Sequence, residues 1–130
     1  MNMTLPLRVA LVDDDLSVRR ALPRLLRSAG YEARAFSSAQ ELIESGFAGT
    51  ANCFVLDIHL ERESGFDLLD RLRAQGATAP AIFITAFDSA DHRERARRAG
   101  ASAFLRKPFD GSVLLDAVAA AARAPSANGH

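Results

Sequence analysis

The chain has a single cysteine, Cys53, and a single lysine, Lys107. One cysteine excludes a disulfide framework and a zinc site built on cysteines, and it leaves Cys53 as a buried packing residue. No apolar run approaches the roughly 18 residues that a membrane span needs. Neither sign of charge is in excess, since 16 basic residues balance 16 acidic ones. A domain that grips DNA normally carries a basic surplus, so direct nucleic-acid binding by this chain is not expected. Met1-Asn2-Met3-Thr4 lacks the basic patch and apolar stretch of a secretory signal. These absences set the expectation of a cytoplasmic protein without membrane contact. The scarcity of lysine is informative in another way. There are fifteen arginines, and arginine does not substitute for lysine as a compact point charge. The one place where lysine stands therefore draws notice.

The 130 residues and 14.0 kDa suit one ordinary domain. At 48% hydrophobic and 25% charged, the chain reads as globular. Short apolar runs alternate with helical patterns. Strands are expected at Arg8–Val12, Tyr31–Phe36, Cys53–Leu56, Ala81–Ile84 and Ser102–Leu105. Helices are expected over Leu16–Ala29, with Val18, Leu22, Leu25 and Ala29 on one face, and over Ser38–Ser45. Others follow from Phe66 to about Gly76, from Asp88 to Ala99, and from Asp110 onward, where Leu114, Leu115, Val118 and Ala122 face inward. Asp88 and Asp110 read as N-caps, and glycines stand at several helix ends. Pro23 falls inside the first helix, where it should kink the helix or remove a hydrogen bond. Strict β-α alternation with unbroken apolar strands implies a parallel sheet covered by helices on both faces. Residues 1–123 are expected to form this one domain. Residues 124–130, Pro-Ser-Ala-Asn-Gly-His after one alanine, read as a disordered tail or linker.

In an open parallel sheet, ligands bind beyond the carboxyl ends of the strands. The first strand ends in Asp13, Asp14 and Asp15, the third in Asp57, the fourth in Thr85 and the fifth in Lys107-Pro108. Two carboxylates about 4 Å apart repel by roughly 4 kcal/mol at an effective dielectric of 20. Such a cluster calls for a cation or for protonation. Hard oxygen donors with room for water suit Mg²⁺, and a metal there would bind phosphate oxygens. Lys107 adds positive charge, Thr85 offers a hydroxyl, and Asp57 is left as a nucleophile for phosphorus.

The set Val12-Asp13-Asp14-Asp15, Asp57, Thr85-Ala86 and Lys107-Pro108-Phe109, in this order at strand ends, resembles the receiver domain of two-component response regulators. The resemblance spans about residues 5 to 123. It is closest to the branch that often carries a C-terminal helix-turn-helix output domain. It implies a flavodoxin-like α/β fold, a single (βα)5 doubly wound parallel sheet of strand order 2-1-3-4-5. It implies that Asp57 accepts a phosphoryl group and that Asp14 holds Mg²⁺ directly, Asp13 largely through water. The backbone carbonyl of His59 would be a further ligand, Lys107 the phosphoryl partner, Thr85 the switch hydroxyl and Phe104 the switch aromatic. A cis Lys107–Pro108 peptide is also implied. So are a cognate histidine kinase, an output domain, C-terminal or separate, and homodimerisation on phosphorylation.

Several positions depart from the family pattern. Glu61 stands where a proline is usual, which predicts a more mobile Leu60–Gly65 segment with Glu61 and Glu63 near the metal. His59 and Phe87 flank the site, Phe87 bulky enough to shield it, and Phe104 lacks a tyrosine hydroxyl. Each residue also has a plain reading: Asp13 and Asp14 as a helix cap and first-turn acid, Asp57 as a turn residue, Lys107 as a surface charge. His59 would then be a solvated loop residue and Arg93–Arg98 a solvated helix face. One rival function is a small Mg²⁺-dependent phosphatase with an aspartyl nucleophile, which would want an acid where His59 stands. Another is a flavin or nucleotide binder, which would want a glycine-rich loop where three aspartates stand. A phosphorylation-independent interaction module would not need the acidic positions to be filled.

Overall fold

A computed structural model describes residues 6–123. Five parallel strands, β1 (Arg8–Val12), β2 (Glu32–Phe36), β3 (Cys53–Asp57), β4 (Ala81–Thr85) and β5 (Ala103–Arg106), form one sheet in the order β2-β1-β3-β4-β5. The helices are α1 (Leu16–Ser28), α2 (Ala39–Ser45), α3 (Gly65–Ala74), α4 (Ala90–Arg98) and α5 (Gly111–Arg123), with a short 3-10 turn at Phe47–Thr50. No helix among the described residues is long and apolar enough to cross a membrane.

The unbroken apolar strands are buried on both faces, as parallel strands require. β3 and β4 have no exposed residue. One face packs Val9, Leu11, Val55, Ile82 and Ile84 against Leu26 of α1 and Leu114, Val118 and Ala121 of α5. The other packs Ala10, Val12, Phe54, Leu56 and Phe83 against α2, α3 and, through Ala96 alone, α4. The β1–β3 and β3–β4 registers set Val12 beside Leu56 and Asp57 beside Ile84. The ends of three central strands therefore finish at one level, and the loops that follow share one crevice.

Local chemistry corrects some expectations. Ser89, not Asp88, caps α4, its hydroxyl accepting from the His92 amide. Asp88 stands one residue too early and binds Arg93 instead. In α5 the buried alanine is Ala121, while Ala122 is only half-buried. In α1 Leu26 is buried and Ala29 is exposed, because the apolar face turns by one residue toward the sheet. Pro23 lies buried within α1, which continues through it. The tail 124–130 lies outside the described residues.

Candidate functional site

Three polar residues belong to the buried set of the described chain: Asp13, Asp57 and Thr85. All stand at the carboxyl ends of β1, β3 and β4. Asp13 is fully buried. Its Oδ1 accepts from the Asp15 amide at 2.9 Å and its Oδ2 from Lys107 Nζ at 3.0 Å. Asp57 Oδ1 accepts from the His59 amide at 3.2 Å, and its Oδ2 lies 3.7 Å from Lys107 Nζ. Asp14 is exposed at the mouth of the crevice, yet Asp13, Asp14 and Asp57 each offer an oxygen within 4.8 Å of the others. The sequence-predicted acids and the lone lysine are thus brought together. The plain readings as caps, turn and surface charge do not describe them; Asp15, not Asp13 or Asp14, caps α1.

The electrostatics follow from this crowding. Burial, reinforced by the charges of Asp13 and Asp14, pushes the Asp57 carboxyl up to about 6. Lys107 and the His59 amide oppose the rise without cancelling it. Burial works against the charge on Lys107, but its hydrogen bond to Asp13 and the nearby Asp57 outweigh this and hold the ammonium above its ordinary range. The ammonium neutralises part of the cluster only. The donor set is hard, anionic and open on the Asp14 side, which suits a small divalent cation that keeps several waters.

Thr85 Oγ1 accepts from the Phe87 amide at 3.0 Å and donates to the Phe87 carbonyl at 3.2 Å. In this conformation the hydroxyl is thus engaged with the β4–α4 loop. Phe104, on β5, is half-buried against the α3–α4 side, and the Arg93 guanidinium lies 4.8 Å from its ring centroid. The Lys107–Pro108 peptide is cis. The His59 ring stands at the rim, perpendicular to Phe87 at 5.3 Å and 5.0 Å from the His92 ring. Phe87 is 68% exposed and forms part of this rim cluster. Glu63 pairs with Arg71, and the segment before α3 ends in a capping box between Ser64 and Asp67. These contacts tie down part of the Leu60–Gly65 loop. Glu61 shares a groove with Asp14.

Sequence reasoning missed Gly65. A Cβ there would stand 2.4 Å from the Asp57 carbonyl oxygen. The available signal was a glycine at the first position of a helix, where its freedom has no local use. It also missed the Asp88–Arg93 pair and the place of Arg93 over Phe104, since contacts between a helix and a later strand leave no periodic trace. The phosphatase reading is not favoured, because the residue two beyond Asp57 is His59, whose ring belongs to the rim cluster. A nucleotide binder is disfavoured by the carboxylates that line the crevice.

Comparison with known proteins agrees with this geometry. The family of the response regulator receiver domain matches residues 9–119. The chain is 43% identical to nodulation protein W of Bradyrhizobium diazoefficiens over 87% of its length and 50% of that protein's. It is 39% identical to the transcriptional regulatory protein TdiR of Thauera aromatica, over the same shares. The chain therefore spans about half the length of these curated relatives. A response regulator receiver protein from Burkholderia phymatum superposes with a TM-score of 0.78 at 38% identity, covering 93% of this chain and 98% of that one.

Proposed function

The chain belongs to the response regulator receiver domain family, and from that premise we propose that it is a phosphorylation switch with Asp57 as the phosphoacceptor. The observation that carries the reading is the meeting of the Asp13, Asp14 and Asp57 carboxylates within 4.8 Å, beside the chain's one lysine. Asp14 would hold Mg²⁺ directly and Asp13 largely through water, with Asp57 and the His59 backbone carbonyl completing the protein's share. Bound there, the ion supplies positive charge beside the transferring phosphoryl group.

The chain's own residues do the rest. An ionised Asp57 oxygen attacks phosphorus on the phosphohistidine of a cognate histidine kinase. The O–P bond forms as the N–P bond breaks, and the electron pair returns to the imidazole ring. Lys107, already 3.0 Å from Asp13 and 3.7 Å from Asp57, neutralises charge that arrives with the phosphoryl oxygens. Thr85 exchanges its Phe87 backbone partners for one of those oxygens. Phe104 then turns inward, and the α4–β5–α5 surface changes shape for an output domain, a separate partner or a second copy. With no hydroxyl on Phe104, packing alone holds the inward position. On this reading the domain is residues 1–123, with 124–130 as a tail or linker. It works in the cytoplasm, and no external substrate is turned over.

The test is labelling by acetyl phosphate. Wild type takes up phosphate only with Mg²⁺, and Asp57→Asn takes up none. Normal uptake by Asp57→Asn would remove the assignment.

A further inference from the structure

We propose that Asp88 and Arg93 are positioning residues that hold Phe104 in the unphosphorylated arrangement, so that breaking their contact shifts the chain toward the activated state. The inference rests on the switch proposed above and adds what restrains it. Arg93 Nε and Nη2 donate to the two Asp88 carboxylate oxygens at 2.6 and 2.7 Å, a forked pair. The same guanidinium lies 4.8 Å from the Phe104 ring centroid. Asp88 sits on the loop that carries the Thr85–Phe87 hydrogen bonds, one residue beyond Phe87. One side chain thus joins the loop that must move to the ring that must turn.

The rest of α4 gives this contact weight. The helix buries one apolar residue, Ala96, so little apolar area opposes its displacement. Its remaining contacts are also polar or aromatic: Arg95 lies 4.7 Å over the Phe66 ring and 3.6 Å from Asp67, and the His92 ring lies 3.2 Å from the Phe87 carbonyl and 5.0 Å from the His59 ring. None of these touches the moving aromatic; among the described residues only Arg93 lies over the Phe104 ring. For Thr85 to leave Phe87, the 85–89 loop must shift, and Asp88 then draws Arg93 off the ring or is itself released. The pair therefore favours the arrangement in which Thr85 remains bound to Phe87. An arginine is needed for this, because only a planar fork can hold both carboxylate oxygens and lie flat on an aromatic face.

The experiment measures the Mg²⁺-dependent binding midpoint for beryllofluoride, a phosphoryl mimic, alongside the NMR signals of the Phe104 ring. An exposed ion pair and an exposed cation–ring contact together correspond to roughly a threefold to thirtyfold change in population. Asp88→Asn and Arg93→Gln should each tighten the midpoint by about that factor and move the free protein's Phe104 signals toward their bound positions. The double variant should add little beyond either single one. Arg93→Lys should fall between wild type and Arg93→Gln. In a Phe104→Leu background, Arg93→Gln should shift the midpoint far less. A merely structural role would lower the melting temperature without moving midpoint or ring signals. Unchanged or weaker midpoints, or fully additive effects, would overturn the clamp while leaving the phosphoacceptor reading intact. Failure of wild type to bind beryllofluoride with Mg²⁺ would overturn both.

Discussion

Gly65→Ala tests whether the phosphoacceptor strand is positioned by close approach of α3. The added Cβ would lie 2.4 Å from the Asp57 carbonyl oxygen, 3.1 Å from its carbon and 3.3 Å from the Ile58 Cα. Ordinary contact begins near 3.4 Å, so a gap of about 1 Å must open against the nearest atom. All three atoms are backbone and none can rotate away. The start of α3 cannot yield easily, since the Ser64–Asp67 capping box fixes it and Phe66, Leu68, Leu69 and Leu72 are buried behind it. The Gly65 amide also donates to the Ile58 carbonyl at 2.9 Å. The strain therefore falls on Asp57–Ile58, the end of β3. Overpacking of this sort costs about 1–3 kcal/mol, a drop in melting temperature of several degrees for a domain of this size. A nucleophile displaced by about 1 Å loses on the order of 100-fold in rate. The assay is the rate of Mg²⁺-dependent labelling by acetyl phosphate, with thermal unfolding measured beside it. Gly30→Ala is the control. It must pay about 1–2 kcal/mol for a left-handed backbone at φ 98°, but it has nothing within 4 Å and lies far from the acids along the chain. It should lose stability and keep labelling. Wild-type labelling and stability in Gly65→Ala would refute the reasoning.

Without metal, Asp57→Asn should stabilise the protein at neutral pH, because a carboxyl held at about 6 opposes folding once ionised. The stability associated with the protonated group is full below the ordinary carboxylate range and is lost as pH rises through about 6, by up to about 3 kcal/mol; equal pH profiles for wild type and variant in chelator would contradict this. Mg²⁺ affinity should fall as pH drops below about 6, where protons compete for Asp57, and a pH-independent magnesium titration would count against that carboxyl as a ligand. Lys107→Met leaves buried Asp13 without its 3.0 Å partner, costing about 3 kcal/mol, and added Mg²⁺ should recover more stability than in wild type; equal magnesium gains in unfolding scans would sink this. Thr85→Val removes the hydroxyl that holds the Phe87 amide at 3.0 Å; labelling of Asp57 should persist while the α4 and Phe104 NMR shifts on labelling disappear, and normal shifts would show the hydroxyl to be dispensable.

The architecture was legible because parallel strands buried on both faces leave continuous apolar runs, and Cys53–Asp57 and Ala81–Thr85 are nothing else. The acids were legible because strand ends in such a sheet converge, so position along the chain translated into position in space. What was hidden depends on single contacts across the sheet. Asp88 and Ser89 compete as caps by one residue, and only the bond from His92 to the Ser89 hydroxyl decides between them. Gly65 is needed for the approach of α3 to β3, a distance no pattern records. The one-residue turn that buries Ala121 and Leu26 arises from how α5 and α1 settle on the strands.

The two halves of the crevice are built by different physics, and this bears on which part can move. On the Asp57 side, α3 buries Gly65, Phe66, Leu68, Leu69 and Leu72, and shifting it would expose a large apolar area at about 25 cal/mol per Å². On the Thr85 side, α4 buries Ala96 alone and rests on arginines over Phe66 and Phe104 and on the His92 ring beside His59. Contacts of that kind are each worth about 1 kcal/mol and re-form easily with water or another partner. A charge arriving at Asp57 therefore meets a fixed wall on one side and a loosely held one on the other. The same free energy that leaves α3 in place can displace α4. Hydrogen exchange should accordingly show α4 amides opening at far lower free energy than those of α3; equal protection in the two helices would mean that the arginine contacts hold as firmly as the buried leucines.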